Sequence, residues 1–438
     1  MADHDLEALK RRMRKAGAHE LYVKTLAAND NSKQQIYLGS NFASLNLLPI
    51  GELAPDPIRP RIVKASLDLS WLTEDDLLAP APDTQLILYP QYPEVRLSGF
   101  LEHCERCPSE LMRARLAGRL LFLGITRSRK VIACAVGHDS DLAREIAATK
   151  LHRDAGVFSR INLEIAADSR AILFAELARI SSLGWINSKR LNRSGELVDC
   201  VGPNCGGMTL EAELGIQPNS LSEPDFHGWE IKQHKVAQLS RPASGGPITL
   251  MTPEPTGGVY VEQGITEFIR RFGYPDRTVG DRLNFGGVHL ATKICAKTSL
   301  FLTLGGYNQH ERKISDLGSG VSLMTADGEA AATWKYTDLL RHWTRKHAQA
   351  AYIPSIARKL PTLQYQFGGH IRTGEGTDFL LLIKAIASGD VYYDPGIKIE
   401  GASSAHPKVK KRSQFRIRSA SLPMLYKKFV EVDLSAVP

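Results

Sequence analysis

The tightest constraint on this chain is the stretch Trp229-Glu230-Ile231-Lys232. Apolar and charged side chains alternate there, and in a strand successive side chains point to opposite faces. Trp229 and Ile231 therefore need a core on one side, while Glu230 and Lys232 share the other. Asp225 lies five residues before Glu230, behind Pro224 and ahead of the turn-prone pair His227-Gly228. Glu211 lies fourteen residues before Asp225, in an apolar run (Leu210, Leu214, Ile216) that Thr209 is placed to cap as a short helix. Carboxylates gathered beside a lysine suit a hard divalent cation, which prefers oxygen ligands. The bare Asp-x4-Glu-x-Lys spacing also fits a surface hairpin with solvated charges, so the neighbouring residues must decide.

Those neighbours are specific. Gly206-Gly207-x-Thr209-Leu210-Glu211-x-x-Leu214-Gly215-Ile216, then Pro224-Asp225-Phe226-x-Gly228-Trp229-Glu230-Ile231-Lys232, resembles the core of the MvaI/BcnI restriction endonuclease family. Pro224-Asp225 and Glu230-Ile231-Lys232 resemble the two halves of a PD-(D/E)XK nuclease site. The resemblance implies an α/β nuclease core, a mixed sheet flanked by helices, related to the mismatch-repair nickase MutH. It implies Asp225, Glu230 and Glu211 as ligands of Mg²⁺, with Mn²⁺ able to substitute, and Lys232 beside the scissile phosphate. His234 falls on the same strand face, where a core or solvated histidine is the expectation and a DNA contact the alternative.

The bulk numbers agree with an ordinary soluble globular protein, and the positive charge favours a polyanionic partner. The chain has 438 residues, 43% hydrophobic and 23% charged, and a net charge of +8. Length alone predicts two or three domains. No run of eighteen apolar residues exists, so no membrane span is expected, and the charged Met1-Ala-Asp-His-Asp-Leu-Glu7 carries no apolar signal region. The expected location is the cytoplasm. Six cysteines are too sparse for a disulfide framework. His103-Cys104-x-x-Cys107 is one half of a zinc pattern, and reduced thiols are expected there.

Residues 5–18 predict a short amphipathic helix, with Leu6, Leu9 and Met13 on one face. Residues 20–38 read as strand, polar loop, strand. Here Tyr22-Val23-Lys24-x-Leu26-x-Ala28-Asn29-Asp30, followed by Gln35-Ile36-Tyr37-Leu38, resembles the start of the EcoRII N-terminal DNA-binding domain. That resemblance implies a β-rich pseudobarrel over residues 1–152 that grips the major groove between two arms. Lys24, Asn29, Asn31, Ser32, Lys33 and Gln34 become candidate DNA contacts. Arg96, with Ser98, His103 and Arg106, is placed by fold analogy on a second arm.

Residues 153–438 are then the nuclease domain. Its expected elements include helices over 163–180, 265–272, 334–347 and 378–387, with strands over 288–290, 299–304, 350–356 and 390–393. Lys189, Arg190 and Arg193 lie in a basic polar stretch just before the catalytic segment and are candidates for backbone phosphates. Near the end, Phe415 and Ile417 alternate with Gln414, Arg416 and Arg418, the pattern of a half-buried strand with a basic face. Arg412, Gln414 and Arg416 can each pair bidentately with a guanine or adenine edge.

The expectation is a monomeric type II restriction endonuclease acting on double-stranded DNA. Both resembled families imply a short GC-flanked site of the CCWGG or CCSGG kind and 5′-phosphate ends. A cognate DNA methyltransferase is implied as a functional partner. The alternatives are a MutH-like nickase and a catalytically silent sequence-specific DNA-binding protein.

Overall fold

The computed structural model describes residues 5–92, 94–149, 151, 153–163, 169–218 and 224–436. The chain divides into two compact units, Met1–Ala167 and Asp168–Pro438. The division falls later than the expected boundary at 152. The reason is local: Arg153–Ala155 and Phe158–Ile161 form a hairpin whose second strand pairs with Ala18–Thr25. Leu163, read as the start of a helix, is buried in the core of the first unit. The described helix spans Ser169–Ser182, and residues 164–168 of the expected helix lie outside the described residues.

The first unit is rich in strands. Seven strands form one sheet and five form another. The helix Leu6–Lys15 starts where Asp5 accepts a hydrogen bond from the Ala8 amide at 2.6 Å. It buries Leu6, Leu9 and Met13, the face expected from their spacing. Together with Leu142, Ala143 and Ile146 of the helix Asp141–Ala148, these residues cover Leu21, Val23, Phe122 and Ile132 of the larger sheet. The strands Gln85–Tyr89 and Glu94–Ser98 pair antiparallel in the smaller sheet.

The second unit is mixed α/β. Its main sheet is built around Gln349–Arg358. On one side this strand runs parallel to Glu230–Lys235, with Glu230 opposite Ala350 and Lys235 opposite Ser355. On the other it pairs antiparallel with Gln364–Phe367 and His370–Thr377. Trp229 and Ile231 enter a core with Leu173, Leu177 and Ile180 of the helix Ser169–Ser182 and with Ile353, Phe367 and Ile371. Truncating Trp229 to alanine there would cost about 3–5 kcal/mol. A three-stranded sheet places Phe415–Ile417 between Ile248–Met251 and Val391–Tyr393. Phe415 and Ile417 are fully buried, as the alternation predicts.

Several expected elements differ. Val288–Leu290 is no strand; His289 makes a single bridge to Tyr393. The helix expected over 334–347 spans Tyr336–Trp343, because Trp334 belongs to the strand Ala330–Lys335 and residues 344–347 form a turn. Cys200 and Cys205 are joined by a disulfide. Among the described residues no helix is long and apolar enough to cross a membrane.

Candidate active site

A two-residue turn sets the spacing of the acidic residues. Phe226 and Trp229 exchange backbone hydrogen bonds of 2.9 and 2.8 Å across His227 and Gly228. Both turn residues have positive φ, 46° and 86°, the conformation that a tight hairpin turn requires. The turn folds Asp225 back beside the strand, where its Oδ2 accepts a hydrogen bond of 3.0 Å from the Ile231 amide. Five residues of sequence separation thus become direct adjacency of Asp225 and Glu230.

Glu211 arrives from another element. The helix Cys205–Glu213 packs against the Glu230 strand through Gly206, where an added Cβ would lie 2.9 Å from Gln233 Oε1 and 3.1 Å from the Tyr365 ring. Glycine permits this close approach; a larger residue would have to displace the Gln233 side chain and press on the Tyr365 ring. Thr209 does not cap the helix as expected. It lies within it, and its hydroxyl exchanges hydrogen bonds of 3.1 Å with the Lys189 amide and carbonyl.

The charges are tightly coupled. Lys232 Nζ is 2.5 Å from Glu230 Oε1. A second lysine, Lys346, lies 3.6 Å from Asp225 Oδ1 and 3.5 Å from Glu230 Oε2. Glu230 is only 1% exposed, and its Oε2 makes no hydrogen bond. Burial pushes the Glu230 carboxyl up to about 7, against the pull of Lys232. Burial, reinforced by the charge of Asp225, also raises Glu211. Burial alone would lower Lys232, but Glu230, Asp225 and Glu211 hold it above its ordinary value.

Asp225 and Glu230 each turn an oxygen toward one cationic centre, and one of those oxygens is buried and unbonded. Hard, partly unsatisfied carboxylates of this kind fit a divalent cation. Glu211 is close enough to Asp225, Lys232 and Lys346 for their charges to act on it. Among the described residues no three His, Cys, Asp or Glu side chains are grouped to hold a metal ion. The same holds for His103, Cys104 and Cys107. The His103 ring pairs with Asp83, and the Cys107 thiol lies 3.3 Å from the Cys104 carbonyl.

His234 is a core residue. It is 4% exposed and bonded through Nε2 to the Pro242 carbonyl at 2.8 Å. Burial lowers it to about 4, so it is neutral.

The candidate DNA contacts separate into exposed side chains and buried or ion-paired ones. Asn29, Lys33, Gln34, Arg190, Arg193, Arg412 and Arg418 are exposed, and Ser32 is half-buried. Lys24 and Asn31 are not available as expected. Lys24 is buried in an ion pair with Asp30 at 2.5 Å. Asn31 is buried and accepts from the Lys33 and Gln34 amides at 3.0 Å each, which shapes the loop from within. Lys189 pairs with Glu213 at 2.5 Å, and Arg96 with Glu94 at 2.8 Å. Gln414 is buried, and Arg416 is tied to Asp394 at 2.6 Å and to the Pro247 carbonyl at 2.8 Å.

Sequence reasoning missed Lys346, which sits in a basic run, Arg345-Lys346-His347, read as the last turn of a helix. It also missed Arg119, which is buried and supports the 27–31 loop through the carbonyls of Ala27 and Asp30.

The sequence profile of the MvaI/BcnI restriction endonuclease family matches residues 174–426, more than half of the chain. No curated protein matches. Among solved structures, a complex of the restriction endonuclease MvaI with its cognate DNA substrate aligns at 17% identity. It covers 61% of this chain and 99% of its own, with a TM-score of 0.45. MvaI in the absence of DNA aligns at 17% identity over the same shares, with a TM-score of 0.33. The profile match spans the turn, the strand and both lysines described above, and by it this chain belongs to the MvaI/BcnI restriction endonuclease family.

Proposed function

We propose that the chain hydrolyses double-stranded DNA phosphodiesters at a short GC-flanked site of the CCWGG or CCSGG kind, with Asp225, Glu230 and Lys232 at a PD-(D/E)XK centre. The observation that carries this reading is the cluster itself: two carboxylates facing one cation position, with a lysine 2.5 Å from one of them. Asp225 and Glu230 would hold Mg²⁺, or Mn²⁺ in its place. The ion supplies charge neutralisation at phosphorus and a lowered pKa for water. Two carboxylates leave room for the waters and substrate oxygens that Mg²⁺ keeps.

The chain's own groups do the rest. The Ile231 amide fixes Asp225 in place. Lys232, kept charged by its acidic neighbours, places a positive charge beside the attacked phosphate and orients the incoming water. Glu211 stands behind the pair and adds negative charge from the helix Cys205–Glu213. Arg190, Arg193 and Arg412 are exposed, and in this reading they contact the DNA backbone or bases. Residues 1–167 form the DNA-gripping unit in this reading, an EcoRII-type pseudobarrel, with Lys33 and Gln34 at the tip of one arm. The chain acts as a monomer that yields 5′-phosphate ends, and its biological counterpart is a DNA methyltransferase of the same specificity.

The test is digestion of a sequenced plasmid by the full-length chain with Mg²⁺, followed by mapping of the ends. Discrete ends at one short sequence are expected, and none without a divalent ion. Asp225→Ala should bind the same DNA without cutting it. Undiminished cleavage by that variant, or ends at random positions, would sink the reading.

A further inference from the structure

Lys346 has no part in the cleavage scheme, yet it occupies the middle of the site. Asp225 Oδ2 is taken by the Ile231 amide and Glu230 Oε1 by Lys232. The two remaining oxygens, Asp225 Oδ1 and Glu230 Oε2, lie 3.6 and 3.5 Å from Lys346 Nζ. Glu230 Oε2 is buried and accepts no hydrogen bond, so charge alone holds it.

The backbone that carries this lysine is fixed. It follows the helix Tyr336–Trp343, and the Thr344 and His347 amides bond back to the Leu340 and Trp343 carbonyls at 3.0 and 3.1 Å. The His347 ring, fully buried, stacks on Trp343 with centroids 4.2 Å apart. Three residues later Ala350 pairs with Glu230 itself. The Lys346 side chain, in contrast, is 26% exposed. A flexible four-carbon stem on a fixed backbone can hold the position and can also vacate it toward solvent.

We propose that Lys346 is a tethered counter-ion. Its ammonium fills the divalent-cation position of the Asp225–Glu230 pair in the metal-free protein and competes with the incoming ion for it. This rests on the reading of that pair as the metal site. The competition lowers the affinity of the DNA-free protein for the ion. It also sets a positive charge opposite Glu230 Oε2, a buried oxygen that accepts no hydrogen bond.

The test measures Mn²⁺ binding to the full-length chain without DNA, by electron paramagnetic resonance or calorimetry. It compares the wild type with Lys346→Gln, Lys346→Arg and Asp225→Asn. Lys346→Gln should bind Mn²⁺ on the order of tenfold tighter, equivalent to about 1.4 kcal/mol. Its Tm should be lower without metal and should rise more on adding Mn²⁺ than that of the wild type. Lys346→Arg, which keeps the charge, should bind near the wild-type level, and Asp225→Asn should lose binding. If Lys346→Gln binds no tighter while Asp225→Asn still loses binding, the metal site stands and the counter-ion role is overturned. If arginine tightens binding as much as glutamine, competition by charge is likewise overturned. If Asp225→Asn binds as the wild type does, the metal-site reading fails and this inference fails with it.

Discussion

Two lysine–carboxylate pairs, one in each unit, have the same short separation and opposite characters. In the first unit Lys24 Nζ lies 2.5 Å from Asp30 Oδ2, with both side chains nearly inaccessible. Asp30 also accepts from the Ala27 amide at 2.9 Å and the Tyr37 amide at 2.8 Å. Every strong interaction is thus spent on the loop's own backbone. In the second unit Lys232 lies 2.5 Å from Glu230, but Glu230 Oε2 receives no hydrogen bond and faces a second lysine. Native proteins satisfy nearly all buried polar groups, and the exceptions concentrate where chemistry is done. A satisfied pair holds a fold together; a pair with an oxygen in reserve leaves room for a ligand, the role proposed above for Glu230.

The largest effect that can break this comparison is on cleavage. Lys232→Ala should cost roughly 10³-fold in rate, as loss of a charge aimed at the transition state does, while the melting curve stays cooperative. Cleavage within tenfold of the wild type would remove Lys232 from the site. The matching change in the first unit is Lys24→Met. It strands the Asp30 carboxylate in a buried place and should destabilise the protein by about 3–5 kcal/mol in urea unfolding. Its folded fraction should bind DNA as the wild type does. Normal stability with weakened DNA binding would restore Lys24 as a contact and end the contrast.

The sequence made one half of this contrast readable and hid the other. The Glu230 strand was legible because its period of two leaves no other burial for Trp229 and Ile231. The His227-Gly228 turn was legible for its chemistry, and the helix carrying Glu211 only in outline, since Thr209 bonds to Lys189 rather than capping it. Lys346 was not legible. It reaches the site through the parallel pairing of Glu230 with Ala350, and such long-range register leaves no local trace. The polar loop 29–35 misled for a different reason. Its composition is the same whether side chains face solvent or bond inward, and Asn31 bonds inward, to the Lys33 and Gln34 amides and the Gln34 side chain, while Lys33 is exposed. The hairpin after residue 152 was missed because its partner strand lies near the start of the chain.

A third change tests the neutral interior beside the Glu230 strand. His234 is held at about 4 by burial, which outweighs the Pro242 carbonyl that favours its charged form. The unfolded chain takes up this proton near the ordinary value of about 6.5, before the folded one does. Stability from His234 is therefore complete above pH 6.5 or so and is lost as the pH falls toward 4, by about 3 kcal/mol at most. His234→Gln should flatten that part of the pH profile of urea midpoints. An unchanged slope would mean that the histidine titrates freely.

The smallest effect decides whether the first unit's loop has a function besides its own folding. Lys33 and Gln34 are exposed on a loop whose frame is set by Asp30, Asn31 and Arg119. If that frame exists to present them, Lys33→Ala should weaken DNA binding several-fold and reduce its salt dependence by about one phosphate contact. Stability should change by no more than about 0.5 kcal/mol, the usual range for an exposed position. The paired measurement on Lys24→Met makes the comparison internal to one loop. The buried lysine should move stability and leave the affinity of the folded fraction alone, and the exposed one should do the reverse. Binding isotherms at two salt concentrations, set beside urea midpoints for both variants, separate the two. An exposed lysine whose loss leaves affinity and salt slope unchanged would reduce the arm to a structural hairpin and leave DNA contact to other surfaces.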